Sequence, residues 1–193
     1  MTADDLEQLR RDVAYLMDRQ AILDCIASHA RGHDRHDSQM LTAAYHDDGY
    51  DEHGNAINAG PKYAEWINPV HAAGSQNHLH NITTHTCEID GDIAHAESYV
   101  LVTLLDHSGE TARFINGRYI DRLEKRDGVW RLAVRRSTVE LMIVGDASGL
   151  QQFMGEIFPG VATREYVVPP LVAGSYMYVC SVHPSMTGTL TIQ

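Results

Sequence analysis

The sequence predicts an α+β fold on three observations: a helical repeat of apolar residues near the start, long β-rich stretches after His78, and tight-turn signals between those stretches. From Ala3 to about Ala30, Leu6, Leu9, Val13, Leu16, Met17, Ile22, Leu23 and Ile26 recur at threes and fours with charges between them. That spacing makes an amphipathic helix, with allowance for one break. Gly32 is expected to end it, and Asp37 or Ser38 to cap a second short helix carrying Met40, Leu41 and Tyr45. "HDDGYDEHGN" reads as turns around a short strand, and "KYAEWINPVH" as another short helix stopped near Pro69.

From His78 onward, "HLHNITTHTCEID", "IAHAESYVLVTLLD", "ARFINGRYIDRLEKRD" and "VWRLAVRRSTVELMIV" are separated by "DGD", "HSGE" and "RDGV". Long strands joined by tight turns make an antiparallel meander, with the helices packed on one face of a curved sheet. "GDASGLQQFMGEIFPGVATREYVVPP" then reads as a turn, a short helix and an extended connector, and "GSYMYVCSVHPSMTGTLTIQ" as a separate strand–turn–strand. The expected organisation is one domain over residues 1–165 and an appended hairpin over 166–193.

Composition narrows the function. With 26 acidic against 15 basic side chains the formal net charge is −11, which repels phosphate backbones and anionic bilayers, so neither nucleic acid nor membrane is an expected partner. No apolar run reaches the roughly 18 residues of a membrane span, and "MTADDLEQLRRD" lacks the basic and apolar regions of a signal peptide. A cytoplasmic location is expected. Cys25, Cys87 and Cys180 are odd in number and scattered, unlike a disulfide framework, and Cys25 and Cys87 read as small buried hydrophobes.

Two clusters carry candidate chemistry. In "SHARGHDRHD" a helix ends in a crowd of His, Arg and Asp, and Asp34, just beyond the expected end, sits where the helix dipole disfavours an anion. A partner cation is expected nearby. In "HLHNITTH", strand parity puts His78 and His80 on one face with Ile82 and Thr84, and His85 on the other. A carboxylate at residue 34 would fix the His80 tautomer and raise its basicity, so that His80 can take a proton from a bound substrate.

The long first helix, the Asp of "GHDRHD", "AAYHDDGYDEHG", the His80 strand followed by "DGD", and above all "GRYIDRLEKRDGVWRLAVRR" resemble the SnoaL-like branch of the NTF2-like superfamily over about residues 5–160. The resemblance implies a cone-shaped α+β barrel, open at one end around an apolar pocket. Its relatives include polyketide cyclases, dehydratases, a dehydrochlorinase and ketosteroid isomerase. It also implies Asp34 and His80 as a proton-abstracting dyad, Arg135 as an aid to the leaving group, and His29 at a polar pocket position. Tyr45, Tyr50 and Tyr99 are candidate pocket hydroxyls. The implied activity is that of a lyase or isomerase acting on a hydrophobic cyclic small molecule, with no cofactor required, in a homo-oligomer of two or three chains. A non-catalytic binding protein on the same fold is the rival reading.

The tail "AGSYMYVCSVHPSMTGTLTIQ" resembles the last two strands of an amicyanin-like cupredoxin over about residues 169–193. That resemblance implies copper ligation by the Cys180 thiolate, the His183 imidazole and the Met186 thioether. No histidine lies between His107 and His183 to act as the upstream ligand. A copper-binding electron-transfer protein is therefore a third reading.

Overall fold

The computed structural model describes residues 1–147, 172–179 and 187–193. The chain divides into two compact units, Met1–Ser148 and Gly149–Gln193. The boundary expected near residue 165 lies outside the described residues. Among the described residues no helix is long and apolar enough to cross a membrane.

Helix α1 runs from Ala3 to Arg35. Thr2 caps it in a reciprocal box with Asp5: the Thr2 hydroxyl accepts from the Asp5 amide at 3.1 Å, and the Asp5 carboxylate from the Thr2 amide at 2.7 Å. Gly32 does not end the helix. A Cβ there would stand 2.9 Å from Leu41 Cγ, so the glycine serves the close approach of the next helix rather than termination. Termination falls to His36, in the left-handed conformation at φ 50°, and Asp34 consequently lies within the last turn. At about 1.5 Å per residue the helix is ~50 Å long. Its apolar positions do not share one face: Ile22 and Ile26 are buried with His29 and His33, whereas Leu9, Val13, Leu16 and Met17 are exposed, more than about 90° round the helix. The first side-chain anchors onto the sheet, among the described residues, come at Asp18, which accepts from Lys125 and Trp130, and at Arg19, which donates to the Cys87 carbonyl.

Asp37 caps α2 (Ser38–Ala43) by accepting from the Met40 amide at 2.9 Å. Strands β1 (Tyr45–His53) and β2 (Ala56–Ala59) follow, then a short 3₁₀ turn at Gly60–Lys62. Helix α3 (Tyr63–Gly74) continues through Pro69 instead of stopping there. The amide that proline lacks would have bonded the carbonyl of Glu65, and both residues are exposed, so that carbonyl is left open to solvent rather than buried.

Strands β3 (Asn77–Asp90), β4 (Ile93–Leu105), β5 (Thr111–Arg126) and β6 (Val129–Asp146) form the expected antiparallel meander. The full sheet order is β2-β1-β6-β5-β4-β3, and β1 joins β6 in parallel, so the curved sheet is mixed rather than wholly antiparallel. Ile22, Ile26, Leu41, Tyr63, Ile67, Leu123 and Leu132 form the centre of the core between helices and sheet. A bulge between Ile82 and His85 inserts one extra residue opposite Val100 to Ser98. Parity therefore inverts: His85, Cys87 and Ile89 share the inner face with His78, His80 and Ile82, and the expected outward placement of His85 is wrong. In the second unit β7 (Gly174–Val179) pairs with β8 (Thr187–Ile192) as an antiparallel hairpin. Cys180, His183 and Met186 lie outside the described residues.

Gly60 seats the Tyr45 ring, because a Cβ at residue 60 would fall 2.4 Å from Tyr45 Cγ. Gly60→Ala is expected to displace this buried ring and to destabilise the fold by about 1–3 kcal/mol in urea unfolding. An unchanged midpoint would show that the ring is not confined there.

Candidate active site

The site begins where the last turn of α1 meets β3. Asp34 Oδ1 accepts from His80 Nδ1 at 2.7 Å, and both carboxylate oxygens accept from the His80 backbone amide, at 3.0 and 3.2 Å. The cation expected to offset the helix dipole is thus replaced by a donor pair, one imidazole N–H and one amide. The His80 side chain is 7% exposed and that of Asp34 16%, so the pair is sheltered yet reachable. Because the carboxylate holds Nδ1–H, the lone pair lies on Nε2, for which no hydrogen-bond partner is found among the described residues.

Around His80 lies a stack of imidazoles. His33 stacks on it with ring centroids 4.8 Å apart, and His71, from α3, at 5.7 Å. His71 in turn stacks on His78 at 4.6 Å. The Tyr63 hydroxyl lies 3.4 Å from His33 Nε2 and 3.3 Å from His53 Nδ1. Burial, followed by the positive charge of neighbouring imidazoles, holds His33 well below the usual histidine range. The same causes push His71 down to about 3, and burial followed by His80 and Arg135 lowers His53 to about 4. These rings are neutral at ordinary pH.

Behind them runs a fully buried polar chain. Arg135 grips Asp121 with two bonds, Nε to Oδ1 at 2.8 Å and Nη2 to Oδ2 at 2.6 Å, and lies over the Tyr119 ring at 4.0 Å. Burial opposes the Arg135 charge, but the Asp121 carboxylate more than offsets it and holds the guanidinium protonated. An arginine can only donate, so Arg135 Nη1 donates to His29 Nδ1 at 2.8 Å. His29 Nε2 then carries the proton and donates to the Tyr45 hydroxyl at 3.1 Å, which donates to Asp51 Oδ2 at 2.7 Å. Burial, then Arg135, keeps His29 neutral. Burial raises Asp51 to about 6 against the lowering effects of Tyr45 and Arg135.

The structure brings Asp34 and His80 together, and places Arg135, His29 and Tyr45 in one buried network. His29 and Tyr45 have their polar atoms committed within the protein, so they form the back wall rather than free ligand contacts. Tyr50 and Tyr99 do not join them: at 40% and 47% exposure they stand on the outer face, because strand alternation turns Asp51 and Val100 inward instead. The side chains around His80, among them His33, Tyr63, His71 and His78, are polar and aromatic rather than apolar. Sequence reading missed His33, Asp51, His53, Tyr63, His71, Tyr119 and Asp121. His33 had a signal, since it follows His29 by one helical turn and so shares its face. Two surface concavities, of about 520 Å³ at Glu110, Thr111, Val144, Gly145 and Asp146 and about 330 Å³ around His46, Asp48 and Arg126, include neither Asp34 nor His80.

The family model described as a SnoaL-like domain matches residues 14–136. No curated protein matches the chain in sequence. Among solved structures, the hexachlorocyclohexane dehydrochlorinase LinA-type3 from Novosphingobium barchaimii is 22% identical, with a TM-score of 0.64 over 77% of this chain and 99% of that one. A protein of unknown function from Mycobacterium tuberculosis, Rv3472, is 27% identical, with a TM-score of 0.59 over 66% of this chain and 74% of that one. A candidate scytalone dehydratase from Novosphingobium aromaticivorans is 18% identical, with a TM-score of 0.59 over 67% and 88%.

The neutral imidazoles fix a pH dependence of stability. Their folded pKa values lie below the ordinary 6.5, so as pH falls through 6.5 the unfolded chain binds protons that the folded chain refuses. Each of His29, His33, His53 and His71 then removes up to about 1.4 kcal/mol per pH unit. Asp51, raised from 3.8 to about 6, opposes them in the same window, but is one group against four. The melting temperature is expected to drop by several degrees between about pH 7.5 and about pH 5. A flat or rising profile would refute the neutral assignments.

Proposed function

Because the chain belongs to the SnoaL-like domain family, we propose that it is a lyase or isomerase in which His80 removes a proton from a small cyclic substrate while Asp34 positions the imidazole. The observation that carries this reading is the 2.7 Å contact between Asp34 Oδ1 and His80 Nδ1 in a sheltered position. A neutral imidazole with Nδ1–H held by a carboxylate presents its Nε2 lone pair as a base, and the carboxylate then stabilises the imidazolium that forms. The electron pair of the broken C–H bond expels a leaving group from the adjacent carbon or moves into an adjacent carbonyl.

The similarity in fold to a dehydrochlorinase and a candidate dehydratase supports elimination as the reaction class. The half-buried Trp66 beside Tyr63 suits a ring-shaped substrate, whose burial supplies binding energy. Arg135 acts as a positioning residue: its bonds to Asp121 and His29 orient the chain that runs through Tyr45 to Asp51. The step moves a proton and a leaving anion, with no electron carrier, and so needs no cofactor. The exposed apolar side chains Leu9, Val13 and Leu16 on α1, with Val139, Leu141 and Ile143 on β6, support a homo-oligomer.

Halide or water release from hexachlorocyclohexane and from cyclic β-hydroxyketones is the assay of choice. His80→Ala is expected to lower kcat by about 10²–10⁴-fold and Asp34→Asn by a smaller but substantial factor; turnover unchanged in both variants removes the dyad, and no turnover by the unaltered chain leaves a binding protein. Sedimentation velocity is expected to show a dimer or trimer that Leu9→Glu with Val13→Glu weakens. A monomer at all concentrations would contradict this assembly.

A further inference from the structure

We propose that His33, His71 and His80 form a binding site for one divalent transition-metal ion of the zinc type, and that such an ion competes for the lone pair that serves as the base. The three imidazoles come from α1, α3 and β3, and their candidate ligand nitrogens all lie within 4.8 Å of one another. Two of them have an idle atom where a buried ring ordinarily has none: His33 Nδ1 and His71 Nδ1 are buried without a hydrogen-bond partner among the described residues. His33 is 1% exposed, so water does not satisfy it from outside.

The surroundings of the other nitrogens match those of metal-bound histidines. Such rings commonly present one nitrogen to the ion and give the other to a carboxylate or another oxygen. His80 gives Nδ1 to Asp34, which leaves Nε2, and His33 has Nε2 beside the Tyr63 hydroxyl, which leaves Nδ1. Three nitrogen donors with no carboxylate among them select zinc, copper, nickel or cobalt and reject magnesium and calcium. At a metal–nitrogen distance of about 2.0–2.1 Å, tetrahedral ligands stand roughly 3.3 Å apart, so the widest pair must close by up to about 1.5 Å. The stacked rings must turn about their Cβ–Cγ bonds to converge. A fourth position stays open for water or a substrate oxygen.

The binding half of this inference is independent of the proposed reaction, whereas the competition half rests on His80 being its base. A metal on Nε2 removes the lone pair that would take the substrate proton, so occupancy and base catalysis exclude each other.

The test uses the full chain with Cys180→Ser, which removes that thiolate as a rival ligand. Titration with zinc chloride, followed by calorimetry and native mass spectrometry, is expected to show one tightly bound ion per chain. His71→Ala, and His33→Gln as a second variant, should each weaken it at least tenfold while retaining the wild-type far-UV circular dichroism. No binding, or binding indifferent to both substitutions, overturns the site. In the elimination assay, saturating zinc should abolish turnover and a chelator restore it; turnover indifferent to bound zinc overturns the competition. Stoichiometric zinc in a protein that turns over none of the substrates would leave the metal site standing and sink the base.

Discussion

The contact between the Asp34 carboxylate and residue 80 ties the end of the longest helix to the edge strand of the sheet. Both oxygens take the backbone amide of His80, and one also takes its ring. A carboxylate in the last turn of a helix faces the negative end of the dipole, an unfavourable place that two donors on β3 make tenable. The helix extends past Gly32 to reach that strand, and His36 stops it in a left-handed conformation just beyond. The same bonds that dock α1 on β3 fix the His80 tautomer, so packing and chemistry share one interaction.

Behind this contact the interior departs from an ordinary apolar core. A buried arginine faces a buried aspartate, and a line of alternating donors and acceptors runs through His29 and Tyr45 to Asp51. Removing one member of such a set strands its neighbours without partners, at a larger cost than the pair contributes when complete. The network therefore specifies geometry more than it adds stability. It also keeps imidazoles neutral by denying them water, which makes a dense cluster of histidines compatible with a folded core at ordinary pH.

Much of this was readable from the residues. The repeat from Leu6 to Ile26 gave a helix, and the turn signals after Asp90, His107 and Arg126 gave the meander. The pairing of Asp34 with His80 was legible because a carboxylate at a helix end calls for a partner cation, a place taken by the ring and amide of His80. Tyr50 and Tyr99 were misplaced because a tyrosine on a strand faces inward or outward according to one residue of register. His85 was misplaced for the same reason, with the bulge after Ile82 supplying the extra residue. The apolar repeat on α1 marks a helix but not one buried face: Ile22 and Ile26 meet the sheet while Leu9, Val13, Leu16 and Met17 stand exposed on another side, and which side the sheet covers is not a local property.

Sequence by itself determined the elements and their order, since helical and strand periodicity, caps and turn residues act over a few neighbouring positions. It also marked Asp34 and His80 as a candidate pair. Only the tertiary structure decided that β1 enters the sheet parallel to β6, that Arg135 is spent on Asp121 and His29, and that His33, His71 and His80 converge. Those outcomes depend on register and close approach between segments dozens of residues apart. A single inserted residue reverses which face a strand shows, and no local pattern records it.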